Sequence, residues 1–227
     1  MATVHAMSDS DSARVSAAVT AAEAHTAGEI VTIVSAHSDT YADIAMLWSA
    51  LVGLLALLAL SLIPDFYLGI YDRMTGSWVQ QWTPRAVFAV ALLVASLKFM
   101  GMWLLQLWPP LRLALVPSPV KHMRVRAKAV TCFKVGAERR TQGRTGVLIF
   151  LSLRERRAEI VADEAIAAKV APEVWGAAMV AMLAEIRQGR IADGMIAAVE
   201  KVGTVLAEHF PVAEGDINEL PDRLIEV

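Results

Sequence analysis

The sequence predicts an α/β membrane protein: a small α/β sandwich with a central sheet of about three strands, interrupted by a two-helix transmembrane hairpin. Three observations carry the prediction. The first half of the 227-residue chain, which is 56% hydrophobic overall, is dominated by apolar runs of membrane length. A β-branched run, "EIVTIVSA" at 29–36, stands before them. A strand–turn–strand pattern, "TGVLIFLSLRERRAEIVAD" from Thr145 to Asp163, stands after them and needs a sheet partner that only the early run supplies.

The first element is a helix over "SDSDSARVSAAVTAAEAHTAGEI". Ser8 to Ser12 offer N-caps, Gly28 offers a stop, and Val15, Val19 and Ala22 form the apolar stripe. Glu29 to Ala36 follows as a strand bounded by Gly28 and His37.

Ile44 to Ile63 is twenty residues without a charge. At ~1.5 Å per residue that length crosses ~30 Å of hydrocarbon. Ala86 to Trp108 is the second span, with Trp103 and Trp108 near its end. Two buried core helices are the alternative. Lys98 interrupts the second span, where a charge costs roughly 2.5–3.5 kcal/mol on insertion scales unless it snorkels, pairs with another subunit or a lipid phosphate, or the helix boundary shifts. Nine Lys/Arg and one acid, Glu138, lie between Arg112 and Arg144. The positive-inside rule therefore places both termini in the cytoplasm.

Beyond the Pro-rich "WPPLRLALVPSPV", a basic amphipathic helix runs from Val120 to about Gln142, with Met123, Ala127, Val130, Phe133 and Ala137 on its apolar face. The hairpin strands fall near Gly146–Leu151 and Ala158–Val161. "DEAIAAKV" is a helical turn capped by Asp163. Trp175, Met179, Met182, Leu183 and Ile186 stripe a helix that starts at Pro172 and stops at Gly189. Ile191, Met195, Val199, Val202 and Leu206 stripe the last helix. The resulting organisation is a split head, 1–43 and 120–210, with spans at 44–63 and 86–108. An external loop at 64–85, a linker at 109–119 and an acidic, irregular tail at 211–227 complete it.

Several classes are excluded. A net charge of −2 gives no basic field for nucleic acid. One cysteine, Cys132, allows no intramolecular disulfide or multi-cysteine zinc site and reads as a small buried residue. The five histidines show no ligand spacing, and no P-loop, Gly-x-Ser-x-Gly or His-Glu-x-x-His motif is present. The N-terminus has no basic region followed by an apolar one, so no secretory signal is expected.

Glu29-Ile30-Val31, Gly146-Val147-Leu148-Ile149 and Ala158-Glu159-Ile160-Val161 form three strand motifs, and Gly189, Gly194, Ile196 and Ala198 a late helix motif. On these motifs the chain resembles the TPM domain family, over about 120 residues in two pieces. It looks closer to the bacterial inner-membrane branch of that family, whose function is unknown. The resemblance implies a mixed α/β sandwich. It also implies acid phosphatase activity and divalent-metal binding, such as calcium, in some members. Two departures stand out. A membrane hairpin interrupts the domain, and the family's glycine-rich acidic loop is replaced by "VADEAIAAKV".

The chemistry-bearing residues admit two readings each. Asp163 and Glu164 are paired carboxylates suited to a hard cation, or a helix cap and a first-turn acid. Glu29 and Asp39 flank the first strand and could complete such an oxygen site, although nothing in the sequence fixes their distance. Lys121, Arg124, Arg126, Lys128 and Lys134 form a membrane-surface set drawn to anionic lipids, or a topology signal alone. Two functions follow. One is a non-enzymatic interaction or assembly module at the inner membrane, with a membrane or cytoplasmic protein partner. The other is a divalent-metal-dependent phosphatase using the acids after the third strand.

Overall fold

The computed structural model describes residues 7–76, 82–136, 145–212 and 220–227. In chain order, α1 (Asp9–Glu23) and β1 (Glu29–Ser35) precede α2 (Ala42–Leu62), α3 (Pro64–Thr75), α4 (Pro84–Leu105) and α5 (Pro109–Leu115). Then come α6 (Ser118–Gly136), β2 (Gly146–Ser152), β3 (Arg157–Ala162), α7 (Glu164–Ala167), α8 (Trp175–Ile186), α9 (Ile191–His209) and β4 (Ile225–Glu226). The chain forms two compact units: Met1–Asp39 with Ser118–Val227, and Thr40–Pro117.

The first unit is built on a four-stranded mixed sheet in the order β3-β2-β1-β4. β1 runs parallel to β2, with Glu29 opposite Gly146 and Ser35 opposite Ser152. β3 returns antiparallel to β2, from Ser152–Arg157 to Val147–Ala162. Every residue of β1 and β2 is buried, which explains why both read as continuous apolar runs rather than alternating ones. One face carries Ile30, Val34, Val147, Ile149 and Leu151 against α1, α8 and α9. The other carries Val31, Ile33, Leu148 and Phe150 against Val125, Ala129 and Phe133 of α6.

The helices on the first face follow the sequence pattern closely. Ser8 Oγ accepts from the Asp11 amide at 3.1 Å and starts α1, and Val15 and Val19 point into the core. Met195, Val199, Val202 and Leu206 of α9 are fully buried, and Ile191 packs at their edge. Gly189 takes φ +81°, the left-handed conformation that ends the preceding helix and that a side chain would strain. A single 3₁₀ turn at Pro172–Val174 precedes α8, so the α-helix proper begins at Trp175 rather than Pro172.

Four expectations are corrected. The sheet has a fourth strand, because the acidic tail is not wholly irregular. Ile225 and Glu226 pair with Ile33 and Val34, and Leu220 is buried beside α6. A two-residue strand leaves no periodicity in sequence. α6 buries Val125, Ala129 and Phe133, whereas Met123 is 64% exposed. The predicted and observed stripes share only Phe133, since apolar residues lie on both sides of this helix. Ala137 and the predicted helix end lie outside the described residues. The expected loop at 64–85 contains α3, and the linker at 109–119 contains α5. Both helices have proline at N1 or N2, where its missing amide is harmless and its fixed φ favours helix.

In the second unit, α2 packs on α4. The buried face of α2 is Ala45, Ser49, Gly53, Ala56 and Leu60, a stripe of mostly small residues that lets the two backbones approach. A Cβ on Gly53 would lie 3.4 Å from the Ala95 carbonyl. Gln106 clamps the helices: its Nε2 donates to Ala45 O at 3.0 Å and to Ser49 Oγ at 3.2 Å. The outward faces are apolar. Leu47, Leu54, Leu58, Phe88, Leu92 and Leu97 are 53–74% exposed.

Candidate functional site

The polar groups of the first unit gather at the two ends of the sheet and along β3. Asp163 and Glu164 sit where β3 ends, in unlike surroundings. Asp163 is buried and Glu164 is exposed. Asp163 does not cap α7 through its side chain. Its Oδ2 accepts instead from the Gly146 amide at 3.2 Å, while its own amide donates to Gly146 O at 2.9 Å. Asp163 thus holds the N-cap position of α7 through its backbone, while its side chain is a clasp that closes the open end of the β2–β3 ladder.

The sheet register separates the acids that the sequence grouped. Glu29 lies opposite Gly146, at the Asp163 end. Asp39 lies beyond the other end of β1, where Arg124 Nε meets it at 3.3 Å. A seven-residue strand spans roughly 20 Å at ~3.3 Å per residue, so Asp39 cannot share an ion with Asp163. Glu29 Oε2 accepts from the Leu220 amide at 3.2 Å. Among the described residues, no cluster of three or more His, Cys, Asp or Glu has the arrangement of a metal site.

Glu23 is the acid that sequence reasoning missed. It ends α1, and its Oε1 accepts from the Ile30 amide at 2.6 Å. Burial, with the nearby Glu29 and Asp222 carboxylates adding to it, pushes its pKa up to about 8, although the Ile30 amide pulls the other way. Nothing in its sequence neighbourhood marks Glu23, because the burial and both neighbouring acids come from the fold. The consequence for stability has a definite sign. The folded chain holds this proton more tightly than the unfolded chain, so the stabilisation is complete below about pH 4.5 and is lost as pH rises to about 8. Glu23→Gln keeps the acceptor for Ile30 without the titration. Thermal melts across this window are expected to show a pH slope in the native protein that is reduced in the variant, with Glu23→Gln the more stable at pH 8.

At the opposite end of β1 and β2, a buried carboxylate organises the "RERR" turn. Ser152 Oγ donates to Glu155 Oε2 at 2.5 Å, and the Ser38 amide donates to Glu155 Oε1 at 3.0 Å. Arg156 takes φ 51° within this turn. Glu155 is thereby an internal brace, although its sequence context reads as a solvated charge run.

Along β3, Glu159 faces α6. His122 Nδ1 lies 3.2 Å from one carboxylate oxygen and Arg126 Nη1 3.5 Å from the other. Two members of the predicted lipid-facing set, Arg124 and Arg126, are therefore engaged by acids of the same unit. Lys121, Lys128 and Lys134 have no ion pair among the described residues. Cys132 is partly buried against the α6 core. Its thiol pKa is raised by that burial, and Lys128 opposes the shift. Lys98 lies in the second unit on an exposed position of α4, beside a groove that includes Val52, Leu97 and Met102.

The class these features define is a small α/β protein with a four-stranded mixed sheet and mostly helical content. Residues 116–205 match the family model described as TPM domain. The match begins after the apolar helices, so α1 and β1, which complete the core, lie outside it. The fold is also similar to the NMR structure of BA42 protein from the psychrophilic bacterium Bizionia argentinensis. The TM-score is 0.57 and the identity 16%, with 100% of each chain covered. No curated protein sequence matches the chain.

Proposed function

We propose that the protein is an integral inner-membrane protein of two spans, α2 and α4, whose TPM domain is a cytoplasmic, non-enzymatic interaction or assembly module. The observation that carries this reading is the outer surface of the second unit. α2 and α4 run 21 and 22 residues at mean hydropathy 2.3 and 2.0, yet only 28% and 6% of their most apolar windows are buried. Water would not tolerate so much contiguous exposed leucine and phenylalanine, and hydrocarbon does. The small-residue seam with its Gln106 clamp is the way two helices associate where lipid removes the hydrophobic drive. Lys98 precedes the end of α4 by seven residues, roughly 10 Å at ~1.5 Å per residue. That distance suits snorkelling toward the end that the positive-inside rule assigns to the cytoplasm. Lys121, Lys128 and Lys134 then supply most of the attraction to anionic headgroups.

The alternative, a divalent-dependent phosphatase, is favoured by the family model's name, which designates a phosphatase. The unequal burial of Asp163 and Glu164, and the use of Asp163 as a backbone clasp, weigh against it.

Topology is tested in intact cells with a membrane-impermeant maleimide, in a Cys132→Ala background. Met74→Cys, on the exposed surface of α3, is expected to react. Ser10→Cys is expected to stay protected until the membrane is permeabilised. The reverse pattern inverts the topology, and equal labelling of both ends the two-span reading. Detergent-purified chain is expected to show no divalent-dependent hydrolysis of a generic phosphomonoester. Turnover abolished by Asp163→Asn, with unchanged melting, would promote the phosphatase.

A further inference from the structure

β3 is an edge strand, and the groove it floors is built like a receptor for one more strand. Among the described residues its only strand partner is β2. The Asp163 amide bonds to Gly146, so in the alternating antiparallel ladder the odd residues of β3 face β2. Ala158, Ile160 and Ala162 therefore turn their N–H and C=O groups to the open side, where no partner is found among the described residues. Edge strands are ordinarily blunted by charged side chains, lysine above all, by proline or by a bulge. "RAEIVA" has no lysine or proline and an unbroken register with β2, and its two charges, Arg157 and Glu159, are engaged by Ser118, His122 and Arg126.

A groove of about 620 Å³ runs along this edge, with all of β3 in its lining. One wall is apolar and belongs to α8, with Trp175, Met179 and Leu183. The other is polar and basic, with His122 and Arg126 from α6 and with Arg156 and Arg157 at the turn. Among the described residues Glu159 is the only acid in the lining, against three arginines. The walls lie on opposite faces of the sheet: Ile160 packs on the α8 and α9 side, and Glu159 faces α6.

We infer that this groove binds an extended segment of a partner protein, added to the sheet as a fifth strand beside β3. Side chains of a strand alternate between faces with a period of two. The segment that fits alternates apolar residues, directed to the Trp175 and Met179 wall, with acidic residues, directed to the arginine wall. Main-chain bonds to Ala158, Ile160 and Ala162 supply affinity, and the two unlike walls supply register and direction. This deepens the reading of the head as an interaction module by naming its surface and the chemistry of its partner.

The test uses full-length protein in detergent and a fluorescent nine-residue peptide of alternating glutamate and valine. Fluorescence anisotropy is expected to show saturable binding. At least a tenfold loss is expected when the residues are segregated into blocks, or when alternate peptide nitrogens are methylated. Ala162→Pro removes an outward N–H without touching the β2 ladder, and Leu183→Glu places a like charge on the apolar wall. Both are expected to weaken binding at least tenfold with unchanged circular dichroism and melting. Equal binding of alternating, blocked and methylated peptides overturns the inference. So does retained affinity in both variants. Dimerisation of the chain through β3, abolished by Ala162→Pro and unaccompanied by peptide binding, overturns it in favour of a second copy. Capture of a partner from native membranes that Ala162→Pro leaves undiminished leaves the interaction reading standing and removes this groove from it.

Discussion

Phe150→Ala is expected to destabilise the α/β unit by about 3–5 kcal/mol, the usual cost of emptying a buried phenylalanine site. Phe150 is fully buried at the middle of β2, in the core that α6 covers. Neighbours on both sides of the strand limit collapse into the void. A domain of this kind has about 5–15 kcal/mol in total, so the variant sacrifices a large share of it. Met123→Ala is the informative companion. Sequence periodicity puts Met123 on the buried face of α6, whereas the structure leaves it 64% exposed. Its change is expected to stay within about 0.5 kcal/mol, the range for surface positions. Denaturant titration of both variants checks the pair. A Met123→Ala loss comparable with that of Phe150→Ala would mean that α6 is rotated from the face described.

Gly194→Ala is the second large effect, and intrinsic propensity gets its sign wrong. In a helix interior alanine is favoured over glycine by ~1 kcal/mol. At Gly194, however, a Cβ would stand 2.8 Å from the Met182 carbonyl oxygen and 2.8 Å from Ile186 Cγ1. Those atoms belong to α8, and the backbone oxygen cannot swing aside. Overpacking of this kind costs roughly 1–3 kcal/mol, which exceeds the propensity gain. A net loss of up to about 2 kcal/mol is therefore expected. Gly203→Ala should follow, since its Cβ would meet that of Ala22 at 2.8 Å and push α1 from α9. Gly176→Ala is the contrast. Open space surrounds it, so propensity alone operates and a gain of about 0.5–1 kcal/mol is expected. Melting temperatures of the three variants settle the order, and stabilisation by Gly194→Ala would refute the close contact between α8 and α9.

The core strands and most helix stripes were legible because their signals are local. β1, β2 and β3 announce themselves as β-branched runs bounded by glycine, a charged turn or a polar segment. Val15, Val19, Met195, Val199, Val202 and Leu206 announce their helices by spacing. α6 was misread because its sequence offers two apolar stripes, and only the sheet selects Val125 and Ala129 over Met123 and Val130. β4 was missed because two residues carry no period. Their pairing depends on an open β1 edge that exists only after folding.

The sequence by itself determined that a strand before the apolar segments shares a sheet with the hairpin after them, and that a helix precedes that strand. It also determined which helices bear apolar faces and where the charges fall along the chain. The tertiary structure alone decided what those charges do. It half-buried Glu23 near Glu29 and Asp222, turned Glu155 into a brace, made Asp163 a clasp for Gly146, and left the outer edge of β3 open between two unlike walls. The physical reason is range. Helix and strand formation reads residues three or four positions apart, whereas burial, carboxylate repulsion and an unpaired sheet edge depend on groups that meet only in three dimensions.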